Sequence, residues 1–378
     1  MITYTFERLV NAVVESNTRI QIVSATGHNR YGIDPETIDQ LQETWIVEDT
    51  PMEQQLVVDG ILHPGQIVDL SDAIPSITVQ DRRDIVLRRL SDGNNPLATI
   101  CLELRQCRID HRQAMQQQRH AATDGPDDSG RVNELNHRKQ TLQDSIESAI
   151  ADQQQLIKNA YSDVDARIGV INPIGTESAA NRMCSALTSD ADSQITGILR
   201  PVTPVTTTTT IGPHEVAVTR MTPLVNQIPT WYERVIAGTL EIFDEADVVV
   251  TVNSIDYTQI NNESADDIKK PSVSISTVVE QYCRDDTEIL SRTGDSDDEV
   301  NSIRADVAAE LPDTQLSISL PYTDSAQATV SQLYDDTTVE SISYDERITL
   351  TVRVAVTQTD AIRRAVTTAG GSIQDDEQ

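Results

Sequence analysis

The chain holds 378 residues, more than one core ordinarily organises, because single cores stop growing near roughly 250 residues, so two or three domains are expected. Its 60 acidic residues against 29 basic ones leave a net charge of -31, and its lysines are Lys139, Lys158, Lys269 and Lys270. This is the surface of a halophile, in which multimolar salt shrinks the Debye length below about 3 Å and screens carboxylate repulsion; a disordered acidic chain would lack the regular runs of Val, Ile and Leu seen here.

Residues 18–90 alternate short apolar strands with helical stretches, as in Arg19-Ile20-Gln21-Ile22-Val23, Trp45-Ile46-Val47 and Gln55-Leu56-Val57-Val58-Asp59. That alternation predicts a small parallel α/β sheet. Leu97, Ile100, Leu104, Cys107, His111 and Ala114 then recur at threes and fours, as do Leu135, Leu142, Ile146, Ala149 and Leu156 beyond the turn-like stretch Thr123 to Gly130. Together they predict an antiparallel helical hairpin. The α/β pattern returns with a strand at Ala166 to Ile171 and a helix after Thr176, followed by strands at His214 to Thr219 and Asp247 to Val252 with a helix at about Trp231 to Phe243 between them. A doubly wound parallel sheet closes that pattern. The last piece, 313–371, runs strand (Leu316 to Leu320), helix, hairpin (Val339 to Val356) and helix, the order of a ferredoxin-like α+β sandwich.

Cys101, Cys107, Cys184 and Cys283 show no C-x-x-C spacing and read as buried thiols of a reducing cytosol. The six histidines have no H-E-x-x-H spacing, so no metal site is expected. A Ser-His-Asp triad has no G-x-S-x-G elbow to support it, and no catalytic residue is assigned. Without an apolar window of about 18 residues or a basic-then-apolar leader, the expected location is cytoplasmic, with no membrane partner.

The order of these parts resembles the HflX-type translational GTPases. Leu56 to Gln66 resembles that family's strand and loop ending in an "LSPxQ"-like turn, Asp81-Arg82-Arg83-Asp84-Ile85-Val86-Leu87 its "DRxxxIL" helix, and Leu102-Glu103-Leu104 its "VELA" helix start. Pro229 to Val252, with Thr239-Leu240-Glu241 and Ala246-Asp247-Val248, is similar to its "LP…TLEE…ADLLLHV" segment. The similarity runs over nearly the whole chain. It implies an α/β fold with an N-terminal α/β domain at 1–95, a helical hairpin at 96–160, a P-loop-NTPase-like G domain at 161–312, and a C-terminal ferredoxin-like α+β domain at 313–378 with a disordered acidic tail.

The residues that would bind and hydrolyse GTP are replaced. A phosphate loop needs G-x-x-x-x-G-K-S/T, so that backbone N–H groups cradle phosphate, lysine neutralises it and the hydroxyl holds magnesium. The equivalent turn is Ile171-Asn172-Pro173-Ile174-Gly175-Thr176-Glu177-Ser178, with an acid at the lysine position and a proline that deletes a donor. The switch "LDPTT" corresponds to Leu199-Arg200-Pro201-Val202-Thr203, the D-x-x-G to Arg220-Met221-Thr222-Pro223, and the guanine-reading N-K-x-D to Thr277-Val278-Val279-Glu280. Ser291-Arg292-Thr293-Gly294 resembles the late "SAxTG" loop. Two readings stay open: ordinary loops on an inherited scaffold with no cofactor, or a relic site for GTP and magnesium built on Gly175, Thr176, Ser178, Thr203 and Ser291. The threonine run Thr206 to Thr210 stands where the family has a mobile segment and reads as a solvated loop, with a partner contact as the alternative.

Residues 82–120 carry Arg82, Arg83, Arg88, Arg89, Arg105, Arg108, Arg112 and Arg119 against Asp84, Asp92, Glu103 and Asp110, a basic island in an acidic chain. The first seven arginines form the candidate RNA-facing surface, with burial along the helix pair or surface ion pairs as the alternative. No aromatic interleaving accompanies them, so backbone and shape contacts are expected rather than stacked bases. The resemblance implies the large ribosomal subunit or its rRNA as partner, engaged without a GTP cycle. The alternatives are a slow or atypical GTPase acting in ribosome splitting or rescue, and a regulatory scaffold that pairs with an intact paralogous GTPase.

Overall fold

A computed structural model describes residues 2–14, 18–45, 53–75, 77–121, 129–174, 176–188, 204–224, 228–252, 279–294 and 296–375. The described residues gather into two compact units that divide between Asp152 and Gln153. Among them no helix is long and apolar enough to cross a membrane.

The first unit runs α1 (Ile2–Val13), β1 (Arg19–Ser24), α2 (Pro35–Trp45), β2 (Gln54–Asp59), α3 (Pro64–Ala73), β3 (Ile77–Asp81), α4 (Arg82–Asp92), α5 (Pro96–Ala121) and α6 (Ser129–Ala160), the last crossing the division. Its three strands are parallel, in the order β1-β2-β3. The run Leu56-Val57-Val58 is wholly buried because both faces of the central strand are covered. Leu56 and Val58 enter a core with Ile33, Leu41 and Leu70, while Val57 points the other way into one with Phe6, Val10 and Ile85. Each such side chain contributes about 1.5–3 kcal/mol on burial. α5 and α6 pack antiparallel, with Leu97 and Leu104 against Ile146 near one end and Cys107 and Ala114 against Leu135 near the other. The strand read at Trp45 to Val47 is not seen: Trp45 closes α2, and Ile46 and Val47 lie outside the described residues.

The second unit holds two sheets. β4 (Ala166–Ile171), α7 (Glu177–Thr188), β5 (Val205–Ile211), β6 (His214–Arg220), α8 (Thr230–Glu233), α9 (Ala237–Glu245), β7 (Val248–Val252), β8 (Glu288–Arg292) and α10 (Asp297–Glu310) form the first layer system. Its strand order is β5-β6-β4-β7-β8, parallel except for β5. Every residue of β7 is buried, as a central parallel strand requires. Ile168, Val170, Met183, Val218, Val250, Ile303 and Val307 fill one side. The second sheet follows from β9 (Asp313–Leu320), α11 (Asp324–Asp336), β10 (Thr338–Tyr344), β11 (Ile348–Ala355), α12 (Thr359–Thr368) and β12 (Ser372–Asp375). Its order β10-β11-β9-β12, antiparallel at each pairing, is ferredoxin-like.

Four expectations change here. Thr206 to Thr210 is not a solvated loop but the body of β5, paired from Thr206↔Thr219 to Thr210↔Glu215. Five β-branched residues in succession favour extended backbone as soon as a neighbouring strand is available. The single helix read at Trp231 to Phe243 is two, α8 and α9, with the Tyr232 hydroxyl anchored to the Pro223 carbonyl beside the break. Ser372 to Asp375, expected within the C-terminal domain and its disordered tail, is the fourth strand of the second sheet, and 376–378 lie outside the described residues. Of the cysteines, which are all free thiols, Cys107 is buried and Cys101, Cys184 and Cys283 are half-buried.

Candidate functional site

The carboxyl ends of β4, β6, β7 and β8 are where a doubly wound sheet binds its ligands. The turn from β4 to α7 is closed on itself there. The Pro173 carbonyl accepts from Thr176 N at 3.2 Å, from Thr176 Oγ1 at 2.8 Å and from Asn172 Nδ2 at 2.7 Å. Ile174 N donates to Leu224 O at 2.9 Å and Leu224 N to Asn172 O at 2.8 Å, so a bridge between Pro173 and Leu224 extends the sheet into the turn. Pro173 has no N–H to give. The N–H groups of Ile174 and Thr176 are therefore spent inside the protein, and Asn172 is fully buried beside them.

Two charged side chains are buried beside this turn. Glu177 opens α7, where an acid suits the positive end of the helix dipole, and Arg220 closes β6. Burial lowers the hold of Arg220 on its proton, while Cys184 and Glu177 act in the opposite direction, which places the Glu177 carboxylate within electrostatic reach of the guanidinium. The two positions that the resemblance aligns with a phosphate-loop lysine and a D-x-x-G aspartate thus carry the opposite signs.

The loop after β8 holds an acid of its own. Glu299 Oε2 accepts from Thr293 Oγ1 at 2.6 Å, Thr293 N at 2.9 Å and Gly294 N at 3.2 Å. These bonds hold the carboxyl below its ordinary range, the threonine hydroxyl contributing most. Arg182 Nη1 donates to Gly294 O at 2.9 Å. Gly294 has φ +73°, and a Cβ there would stand 3.0 Å from both Ala179 Cβ and Val252 Cγ1, so glycine is required on two counts.

Of the five relic positions, Gly175 and Thr203 lie outside the described residues, as do Leu199 to Val202, Thr277 and Val278. Thr176 turns its hydroxyl into its own loop. Ser178 is exposed on the first turn of α7, and Ser291 is exposed on β8 opposite Thr251.

In the first unit the arginines divide. Arg105, expected on the RNA-facing surface, is only 4% exposed. Its Nη2 reaches Asp81 Oδ2 at 2.6 Å and Asp84 Oδ2 at 3.2 Å, and its Nε bonds Asp84 Oδ1. The Asp81 and Asp84 carboxylates each accept from the other's backbone N–H at 3.0 Å as the cap of α4, and Asp81 Oδ2 accepts from Leu62 N at 2.8 Å. Burial first, then the neighbouring Asp84, push Asp81 up to about 6. Arg105 is thus structural. Arg82 donates through Nε to Asp59 Oδ1 at 2.8 Å and lies 5.3 Å over the Phe6 ring. Arg88 reaches the Gln80 amide oxygen at 2.7 Å once that amide is oriented to accept. Arg83, Arg89, Arg108 and Arg112 are half-buried on α4 and α5. Burial lowers Arg83, the buried Arg105 and then Arg108 lower it further, and Asp81 and Asp84 act in the opposite direction. Arg112 sits beside Gly65, at the start of α3.

One group escaped the sequence reading. In the loop after β1, the His28 and Tyr31 rings are stacked with centroids 5.7 Å apart and planes at 9°, and the Arg30 guanidinium lies 4.9 Å from the Tyr31 centroid. The signal available was a His-x-Arg-Tyr sequence between a strand end and Gly32, too short to register as aromatic interleaving.

No family model matches the chain, and no curated protein matches it. Among solved structures it is similar to a GTP-binding protein from the hyperthermophilic archaeon Sulfolobus solfataricus in complex with GDP, with 12% identity and a TM-score of 0.33 over 75% of this chain and 78% of that one. An SsGBP and GDP complex gives 10% identity and a TM-score of 0.35 over 75% and 86% of the two chains. A mutation variant of SsGBP gives 10% and 0.35 over 81% and 93%.

Proposed function

We propose that this chain is an HflX-like protein that binds RNA of the large ribosomal subunit through its first unit and runs no GTP cycle. The observation that carries the reading is the closed turn from β4 to α7, in which Pro173 O takes three donors and the N–H of Ile174 is tied to Leu224. A triphosphate at that turn would have to break those bonds and lie against the Glu177 carboxylate. The Arg83, Arg108 and Arg112 surface of α4 and α5 supplies the positive charge that an RNA backbone requires. In this reading the protein is a halophilic, cytoplasmic pseudo-GTPase that acts by occupancy, as an anti-association or dormancy factor.

The test has two arms, both in molar potassium chloride. Equilibrium titration with labelled GTP is expected to give no binding at millimolar nucleotide, and co-sedimentation is expected to place the protein with large subunits. Saturable GTP binding removes the first half of the reading, and absence from every ribosomal fraction removes the second. The exposed Ser178 favours one alternative, a slow GTPase using that hydroxyl, and the nucleotide titration decides between the two.

A further inference from the structure

We infer that the loop after β1 is a stacking subsite for an unpaired RNA base, with the exposed plane of the Arg30 guanidinium as its platform. This deepens the proposed RNA-binding reading and rests on it.

The loop is a built structure. Thr26 N donates to Gly32 O and Gly32 N to His28 O, each at 2.8 Å, closing it across its base. Gln66, which caps α3 through its Oε1, sends its Nε2 to His28 O at 3.1 Å and Asn29 O at 3.4 Å, tying the loop to that helix. Gly32 has φ +72°, and a Cβ there would lie 2.3 Å from Leu62 Cδ2, so the loop descends onto α3 only because this residue is glycine. Tyr31 N completes the turn by donating to His28 Nδ1 at 3.3 Å.

The outcome is a preformed cluster in which Tyr31 stacks on His28 and the Arg30 guanidinium lies over the Tyr31 ring. Tyr31 is half-buried, whereas the Arg30 side chain is 66% exposed and its nearest acid, Asp69, stands 4.0 Å away. A pair that long and that exposed leaves the guanidinium free to take a further partner. A guanidinium backed by an aromatic ring accepts a base on its open face, and such stacking tolerates any base because every base has a π-face. The loop stands at the carboxyl end of a parallel sheet, where α/β folds place ligands. Gln66 also links it to the N-terminus of α3, where Arg112 lies beside Gly65. Double-stranded RNA offers no free base face, which makes the ligand a loop, a bulge or a single strand.

The full chain should be titrated in molar potassium chloride with an RNA hairpin carrying 2-aminopurine in its loop, and with a blunt duplex of equal length. The expected result is quenching of 2-aminopurine on binding, loss of that quenching in Arg30→Ala, and about tenfold weaker hairpin binding with duplex binding unchanged. Arg30→Lys keeps the charge without the plane and should behave as Arg30→Ala. Quenching that survives in Arg30→Ala, or full rescue by Arg30→Lys, overturns the subsite while leaving RNA binding intact. Failure of the unmodified chain to bind either RNA overturns both.

Discussion

Glu177, in the first turn of α7, and Arg220, the last residue of β6, are both buried, with the carboxylate within electrostatic reach of the guanidinium. Each alone would be costly to bury, and an opposite charge within reach lessens that cost. Exchanging either residue therefore changes the setting of the other.

Glu177→Lys restores the residue type of a phosphate loop but sets a second cation beside buried Arg220. It is expected to destabilise the chain by roughly 3–5 kcal/mol, the cost of leaving a buried charge uncompensated, and to confer no GTP binding. Chemical denaturation and nucleotide titration of the variant check both. A stable variant that binds GTP would show that the closed turn opens readily.

Glu299→Gln weakens three bonds to Thr293 and Gly294, and a loss of about 1–3 kcal/mol is expected. The folded pKa of Glu299 is depressed below 4.5, so its contribution is present above that value and is lost as pH falls through the lower folded value. The stability difference between the two proteins should therefore shrink in acid, as denaturation curves at neutral pH and below pH 4 or so would record.

Asp81 behaves in the opposite sense. Its folded pKa of about 6 lies above the ordinary 3.8, so the folded state keeps a proton that the unfolded chain has released. The stability this contributes is full below the ordinary value and is lost as pH rises through about 6. The Asp81 carboxyl carbon resonance should titrate near that pH. Arg105→Ala strands two buried carboxylates, and its penalty, about 3–5 kcal/mol at neutral pH, should diminish toward pH 5 or so as a proton takes the place of the guanidinium.

Arg108→Ala, on the half-buried face of α5, is expected to weaken binding to hairpin and duplex RNA alike and to lower the slope of log affinity against log salt by about one. A change confined to one RNA would assign Arg108 to base recognition instead of backbone contact.

Parts of this architecture are legible in the chain. The Leu97 to Ala114 and Leu135 to Ala149 spacings specify a helix pair because one face of each must be covered, and Leu56-Val57-Val58 specifies a strand buried on both sides. Asp81-Arg82-Arg83-Asp84 carries a capping box in its spacing alone. Short elements are less legible: β3 has five residues and β12 four, too few for a period to show, and the threonines of β5 read as loop until β6 is there to pair with them.

The sequence by itself determined the residue types at the aligned positions, since no folding puts a lysine at Glu177 or an aspartate at Arg220. It also determined the acidic surface and the basic island on α4 and α5. Only the tertiary structure decided which groups meet: that Arg105 leaves the island to lie between Asp81 and Asp84, that Glu177 is buried within electrostatic reach of Arg220, and that Pro173, Asn172 and Thr176 bond one another across the turn from β4 to α7. Residue order records identity and period, whereas the strength of a charge or hydrogen bond depends on distance and on exclusion of water, and those exist only once remote segments have packed.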